Sequence, residues 1–198
     1  MTRIRYLGKT VKAYLKQFQD VPPPCNEGCP DCSGKLYKHG RYYRTVIIGK
    51  KLIKIPIYRR LCPACGKTLS LLPDFLYPYR VHVGGIFQKA WILRYVNGKS
   101  YYFIQNFITQ SVIGGISYKT IKRWDCLWRK VKGPLVKLLL STIAEVQPTA
   151  INFQTIKPLN DEEVLLFLLP LAWEIFHPNT PYPSYGFFQW INQLIERI

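Results

Sequence analysis

Four cysteines fall in two short phrases, Cys29-Pro30-Asp31-Cys32-Ser33-Gly34 and Cys62-Pro63-Ala64-Cys65-Gly66, with two residues between the thiols of each pair. That spacing lets both thiolates of a pair reach one ion, and Pro and Gly bend the backbone into a knuckle. Four thiolates complete a tetrahedral shell around Zn²⁺ and leave no open position, so the expected chemistry is structural. A lone CxxC also serves redox sites, but those open a helix after a strand, whereas both pairs here flank strand-type sequence. The expectation is one structural zinc held by Cys29, Cys32, Cys62 and Cys65. Such binding is worth roughly 10–16 kcal/mol in small zinc modules and largely decides their folding. Cys25, four residues before Cys29, is the alternative ligand in the first knuckle, though it lacks the Pro-x-Cys context. Cys126 reads as a bystander thiol and His39 as a surface group.

The second chemistry is charge. Residues 1–140 hold 26 of the 28 Lys and Arg but five of the 11 acids, Asp20, Glu27, Asp31, Asp74 and Asp125. The rest carries two basic and six acidic side chains. A basic excess spread over Tyr- and Trp-rich sequence fits a polyanion, because each neutralised phosphate releases condensed counterions. Double-stranded DNA is the expected partner, with RNA as an alternative that charge alone does not separate. No continuous apolar stretch approaches the roughly 20 residues of a membrane span, and the N-terminus lacks an apolar signal core. The chain therefore reads as cytoplasmic, where reducing conditions favour metal ligation over disulfides.

The elements that must position these groups follow from periodicity. Val11, Tyr14, Leu15 and Phe18 share a helical face behind a Thr10 cap, and VPPP at 21–24 stops that helix. From Lys35 to Leu61 the sequence is β-branched and aromatic, with Ile48-Gly49-Lys50-Lys51 as a hairpin turn; Pro56 predicts an edge strand or a bulge. Ile86, Ala90, Leu93 and Val96 predict a first helix after the connector, ended by Asn97-Gly98. Ser100 caps a second, with Tyr101, Ile104 and Ile108 inside. SVIGGIS at 111–117 supplies a turn, and Ser117 caps a third helix with Ile121, Trp124, Trp128 and Val131 inside, closed by Gly133-Pro134. Further helices are expected over 135–146, 161–176 and 187–198, with Asn160 and Glu163 as a capping box.

In that frame the third helix is a recognition helix: Tyr118, Lys119, Lys122 and Arg123 face base edges, while Arg129, Lys130 and Lys132 suit phosphates. Arg41, Arg44, Arg59 and Arg60 of the strand region add a phosphate-tracking surface. The expected fold is α+β, a small β zinc ribbon followed by an all-α helix-turn-helix-like bundle. Its segments are a basic helix and Pro linker (1–24), the Cys₄ ribbon (25–72), the helix-turn-helix-like region (73–134) and a helical extension (135–198).

The two CPxC knuckles, KHGRYYR after the first, the YRRLCPACGKT return and SYKTIKRW resemble the N-terminal region of zinc-ribbon transposases of bacterial insertion sequences. The sequence resembles even more closely a bacterial family of unknown function with the same ribbon followed by LPDFLYPYR and a helical segment. The resemblance implies DNA-end recognition. It also implies a separate catalytic domain with three metal-binding carboxylates, for which residues 141–198 lack both length and strand alternation. No nucleophile triad or phosphate loop stands out. The functional expectation is a non-catalytic, zinc-stabilised DNA-binding protein related to transposases or accessory to a mobile element. The alternative is a zinc-ribbon module that binds a protein partner, a second copy or RNA through the aromatic tail with Trp173, Phe176, Phe187, Phe188 and Trp190.

Overall fold

The computed structural model describes residues 1–8, 10–78 and 80–176. Four strands form one sheet in the order β1-β4-β3-β2, where β1 is Thr2–Arg5, β2 Tyr37–Ile48, β3 Lys51–Leu61 and β4 Thr68–Pro73. β1 runs parallel to β4, and the other pairs are antiparallel. Ile48 pairs with Lys51, so Gly49-Lys50 is a two-residue turn, and Gly49 at φ 55° takes the left-handed geometry such turns demand. The register slips between Lys38 and Arg41, with Gly40 at φ 79° in the bulge.

The helix α1, Val11–Phe18, forms where expected, and the Thr10 hydroxyl accepts from the Ala13 N–H at 3.1 Å. Its buried Val11, Tyr14 and Phe18 pack on Ile55, Ile57 and Phe75 of the sheet layer. The N-terminal segment thus shares a core with the strands. β1 had no sequence signature, since TRIR offers one apolar residue and its pairing is decided by the exposed side of β4.

Pro56 was expected to mark an edge strand or a bulge, but β3 is interior. The proline lies opposite Tyr43 in the half of β3 that pairs with β2 alone, beyond the Tyr58–Leu61 stretch shared with β4. Its missing N–H therefore interrupts no bond on the β4 side, and its carbonyl accepts the buried Tyr14 hydroxyl at 2.6 Å.

The rest of the described chain is helical: α2 (Gly84–Trp91) running into a π turn (Ile92–Val96), α3 (Tyr101–Thr109), α4 (Tyr118–Val146), a 3₁₀ turn (Pro148–Ala150), α5 (Phe153–Ile156) and α6 (Asp161–Phe176). Trp91, Ile104, Ile108, Trp128, Leu139 and Leu168 anchor their common core. Two expectations need correction. Gly133-Pro134 does not close the third helix, because Leu135, Leu139 and Ile143 continue the buried stripe of Ile121, Trp124 and Trp128 in phase. Burying that second half outweighs a proline penalty of about 3 kcal/mol. Val96, expected inside, is 52% exposed because the π turn widens the helix and shifts its phase.

α6 begins as expected: the Asn160 N–H donates to Glu163 Oε2 and the Glu163 N–H to Asn160 Oδ1, both at 3.0 Å. The helix expected over 187–198 lies outside the described residues. No helix among the described residues is long and apolar enough to cross a membrane.

The β2–β3 hairpin links the two halves. Its tip docks on the helices, with the Ile113 N–H donating to the Gly49 carbonyl at 2.9 Å and the Ile47 N–H to Val81 at 2.8 Å. Its opposite end, roughly 35 Å away at strand spacing, carries the cysteines.

Candidate metal centre and nucleic-acid interface

Each cysteine pair sits in the same backbone turn. The Cys29 carbonyl accepts from the Ser33 N–H and the Cys62 carbonyl from the Gly66 N–H, both at 2.8 Å; the Cys29 N–H donates to Gly34 and the Cys62 N–H to Lys67. The turns need a left-handed residue at one place, filled by Ser33 (φ 56°) and Gly66 (φ 70°). Gly34 has a different reason. A Cβ there would lie 3.1 Å from Cys62 Sγ and 3.2 Å from Cys32 Sγ, so its bare Cα makes room for sulfur.

The four sulfurs of Cys29, Cys32, Cys62 and Cys65 lie within 4.8 Å of one another, with Cys29–Cys65 at 3.6 Å and Cys32–Cys62 at 3.4 Å. A tetrahedral zinc with Zn–S near 2.3 Å sets its sulfurs about 3.8 Å apart. The cluster therefore fits the ion and is far from the ~2.05 Å of a disulfide. Cys25, half-buried against the same small core, is not among the four. Lys67, two residues past Cys65, forms an ion pair with Asp31 between the first two cysteines and so ties the knuckles together. Arg3 and Arg5 of β1 both pair with Glu27, which ties the extended segment before Cys29 to the sheet.

Local electrostatics prepare the thiols unequally. The Asp31 N–H, against the opposing push of burial, brings Cys29 down to about 7. At Cys32 the Gly34 N–H favours the thiolate, but the neighbouring thiols of Cys62 and Cys65 and burial outweigh it and push the group up to about 12. Cys65 is raised too, the Lys67 N–H being outweighed by burial and neighbouring thiols. Four crowded sulfurs cannot all ionise alone, and a divalent cation removes that conflict.

The model of a domain of unknown function (DUF6431) matches residues 29–124, just under half of the chain. That span begins at Cys29, includes all four clustered thiols, the β2–β4 strands, α2 and α3, and ends in the first turns of α4; Cys25 lies outside it. The similarity noted to a family of unknown function is met over these residues. No curated protein and no solved structure matches the chain, and no comparison relates it to a transposase.

The second set of residues divides. On α4, Tyr118, Lys119, Lys122, Arg123 and Lys130 are exposed, and Lys137 continues their face. Ser117 caps the helix through the Thr120 N–H at 3.2 Å, and the preceding turn holds Gly114 and Gly115 at φ 70° and 64°. Arg129 is partly engaged: its Nε lies 2.9 Å from Asp125 Oδ2. Lys132 reaches Glu162 at 2.8 Å and Asp161 at 3.7 Å, which fastens α4 to α6 and removes it from the phosphate candidates.

The strand arginines are mostly internal fasteners. Arg41 donates to the Gln19 carbonyl at 2.6 Å and to Tyr58 and Asp20. Arg44 donates to the Tyr77 and Arg80 carbonyls, and burial lowers its pKa. Arg60, 6% exposed, donates to the Pro23 carbonyl at 2.5 Å. Arg59 is exposed. Regular charge spacing on strands could not show that the carbonyls of Gln19, Pro23, Tyr77 and Arg80 come to accept from these guanidiniums.

Sequence reasoning passed over one polar cluster. Asp125, which the sequence offers only as one of the five acids of residues 1–140, accepts the Tyr95 and Tyr101 hydroxyls, the latter at 2.5 Å, and pairs with Arg129. Burial opposes its charge, but these partners hold the carboxyl below the usual range. Of the tail aromatics, Trp173 is half-buried and Phe176 exposed on α6, whereas Phe187, Phe188 and Trp190 lie outside the described residues.

Proposed function

We propose that this chain is a non-catalytic, zinc-stabilised protein that binds double-stranded DNA through the exposed face of α4. The observation that carries this reading is the stripe Lys119, Lys122, Arg123, Lys130 and Lys137 on one side of a Ser-capped helix, opposite the buried Ile121, Trp124 and Trp128. Asp125, the one acid between Asp74 and Glu145, faces inward. The order α2, α3, Gly-bearing turn, α4 supports a helix-turn-helix placement, in which the first turns of α4 approach base edges and later residues approach phosphates.

In this reading the zinc is scaffold. Cys29, Cys32, Cys62 and Cys65 would hold it as a zinc ribbon, and the closed sulfur shell would fix the far end of the β2–β3 hairpin. The hairpin tip would steady the helices. A mobile-element accessory role rests on the motif resemblance alone and belongs to the same proposal.

The test is a salt titration of duplex DNA binding by the zinc-loaded protein. Affinity should fall steeply with salt; Lys130→Ala and Lys137→Ala should each reduce the slope of log K against log salt by about one, while Lys122→Ala and Arg123→Ala should relax the preference for one duplex sequence. Salt-insensitive binding, or none, would sink the proposal.

A further inference from the structure

α3 buries Ile104 and Ile108 and turns Phe103 and Phe107 outward, 44% and 40% exposed. One exposed phenyl is ordinary on a protein surface. Here the two rings are held nearly parallel, 13° apart with centroids at 6.0 Å. A cation stands over each: Lys99 Nζ is 5.3 Å from the Phe103 centroid and Lys89 Nζ is 4.5 Å from that of Phe107. No acidic residue occurs between Asp74 and Asp125, so nothing on α2 or α3 neutralises these lysines.

We propose that this outer face of α3 is a stacking platform for the unpaired bases of single-stranded nucleic acid, with Lys89 and Lys99 as its phosphate contacts. The occupant follows from what the surface offers. Flat ring faces beside ammonium groups fit a polymer that alternates flat, neutral π-faces with anions. Unpaired nucleotides have that form, whereas a duplex hides its base faces in its own stack. The lysines serve in both states. Without ligand each rests on a ring in an exposed cation–π contact, which is weak. When a strand arrives, the ammonium turns to phosphate and frees the ring for a base, whose stacking is the stronger interaction. This proposal does not depend on the duplex reading of α4, because the residues differ.

The experiment is fluorescence anisotropy of the full, zinc-loaded chain with labelled oligo-dT, oligo-rU and a short duplex. Oligo-dT, oligo-rU or both should bind with salt-sensitive affinity; equal binding means the sugar is not read, and a preference names DNA or RNA as the source. Phe103→Ala and Phe107→Ala should each weaken that binding about tenfold, with melting temperature and duplex affinity unchanged. Phe103→Trp should bind at least as well, and its emission should be quenched on titration with oligonucleotide. Lys122→Ala and Arg123→Ala should leave single-strand affinity unchanged, so the two proposals fail separately. Absence of single-strand binding, or binding that the Phe103→Ala/Phe107→Ala double variant leaves unchanged, would overturn the platform. So would sedimentation showing a dimer that this double variant makes monomeric, since the rings would then be an interface between copies.

Discussion

Ser33 and Gly66 occupy the same place in two like turns: each is fourth after the first cysteine of its pair, each has positive φ, and each donates its N–H to that cysteine's carbonyl at 2.8 Å. Only one is glycine. Ser33 carries a Cβ in a conformation that disfavours it by about 1 kcal/mol, while Gly66 avoids that strain. Ser33→Gly should therefore be neutral or slightly stabilising, and Gly66→Ala should destabilise the metal-bound protein by about 1 kcal/mol in urea melts. Gly34→Ala should act differently. Its backbone is not left-handed, but its Cβ would crowd two sulfurs. Competition with a zinc chelator should show weaker metal binding for Gly34→Ala than for Gly66→Ala, whose Cβ meets nothing within 4 Å. The reverse ranking would mean that turn strain, rather than sulfur spacing, sets metal affinity.

The sulfur cluster predicts one zinc per chain, and its removal should be felt locally. Cys29 and Cys62 share a small core with Leu36, Leu69 and Leu71, apart from the helical core. Chelation, or Ser in place of Cys29, Cys32, Cys62 or Cys65, should raise hydrogen exchange in the β2, β3 and β4 residues near the cysteines while α4 and α6 stay protected. Cys126→Ser and Cys25→Ser should retain full zinc by elemental analysis. Loss of metal with Cys25→Ser would place that thiol in the shell and dismiss Cys29.

The cysteine cluster was legible because a metal shell is built from local spacing. Two CPxC phrases name the four clustered thiols, and the hairpin between them is written in Gly49 and β-branched residues. Thr10, Ser100, Ser117 and Asn160 were legible as caps for the same reason, since a cap needs only its next turn. What escaped the sequence depends on contacts distant in the chain. β1 pairs with a strand some seventy positions later, Pro134 is overridden by packing of α4 on α6, and Arg41, Arg44 and Arg60 look like free surface charge until distant backbone carbonyls accept from them. The π turn that rotates Tyr95 toward Asp125 is likewise invisible to a fixed 3.6-residue period.

Asp125 is the polar point where the π turn, α3 and α4 meet. Its carboxylate satisfies Tyr95, Tyr101 and Arg129 together, so Asp125→Ala should strand two hydroxyls and release a guanidinium. The expected loss is about 1–3 kcal/mol of unfolding free energy, chiefly from the half-buried hydroxyls, because the Arg129 end is 59% exposed and screened. Asp125→Asn, which keeps an acceptor, should lose less. Denaturant melts of both variants decide the matter, and equal stability of Asp125→Ala and the unchanged protein would refute a structural role.

His82 gives the chain an acid-sensitive joint between sheet and helices. It is 8% exposed, bridges to Ile47 of β2, and meets the Trp124 ring edge-on with centroids 5.6 Å apart. Its Nδ1 is buried without a hydrogen-bond partner among the described residues. Burial lowers its pKa from the usual 6.5. The unfolded chain therefore binds the proton more readily than the folded one, and stability falls as protons are added. The full contribution of the neutral ring is present above about pH 7, declines as pH drops through 6.5, and levels off below the folded pKa. Its slope cannot exceed about 1.4 kcal/mol per pH unit for one proton. Proton competition for the cysteines adds a second acid-labile component, so the measurement is a comparison. His82→Leu should melt with less pH dependence between about 5 and 7 than the unchanged protein, with the same zinc content in both. Parallel melting profiles across that range would show that His82 binds its proton equally well folded and unfolded, so that the joint contributes no pH dependence.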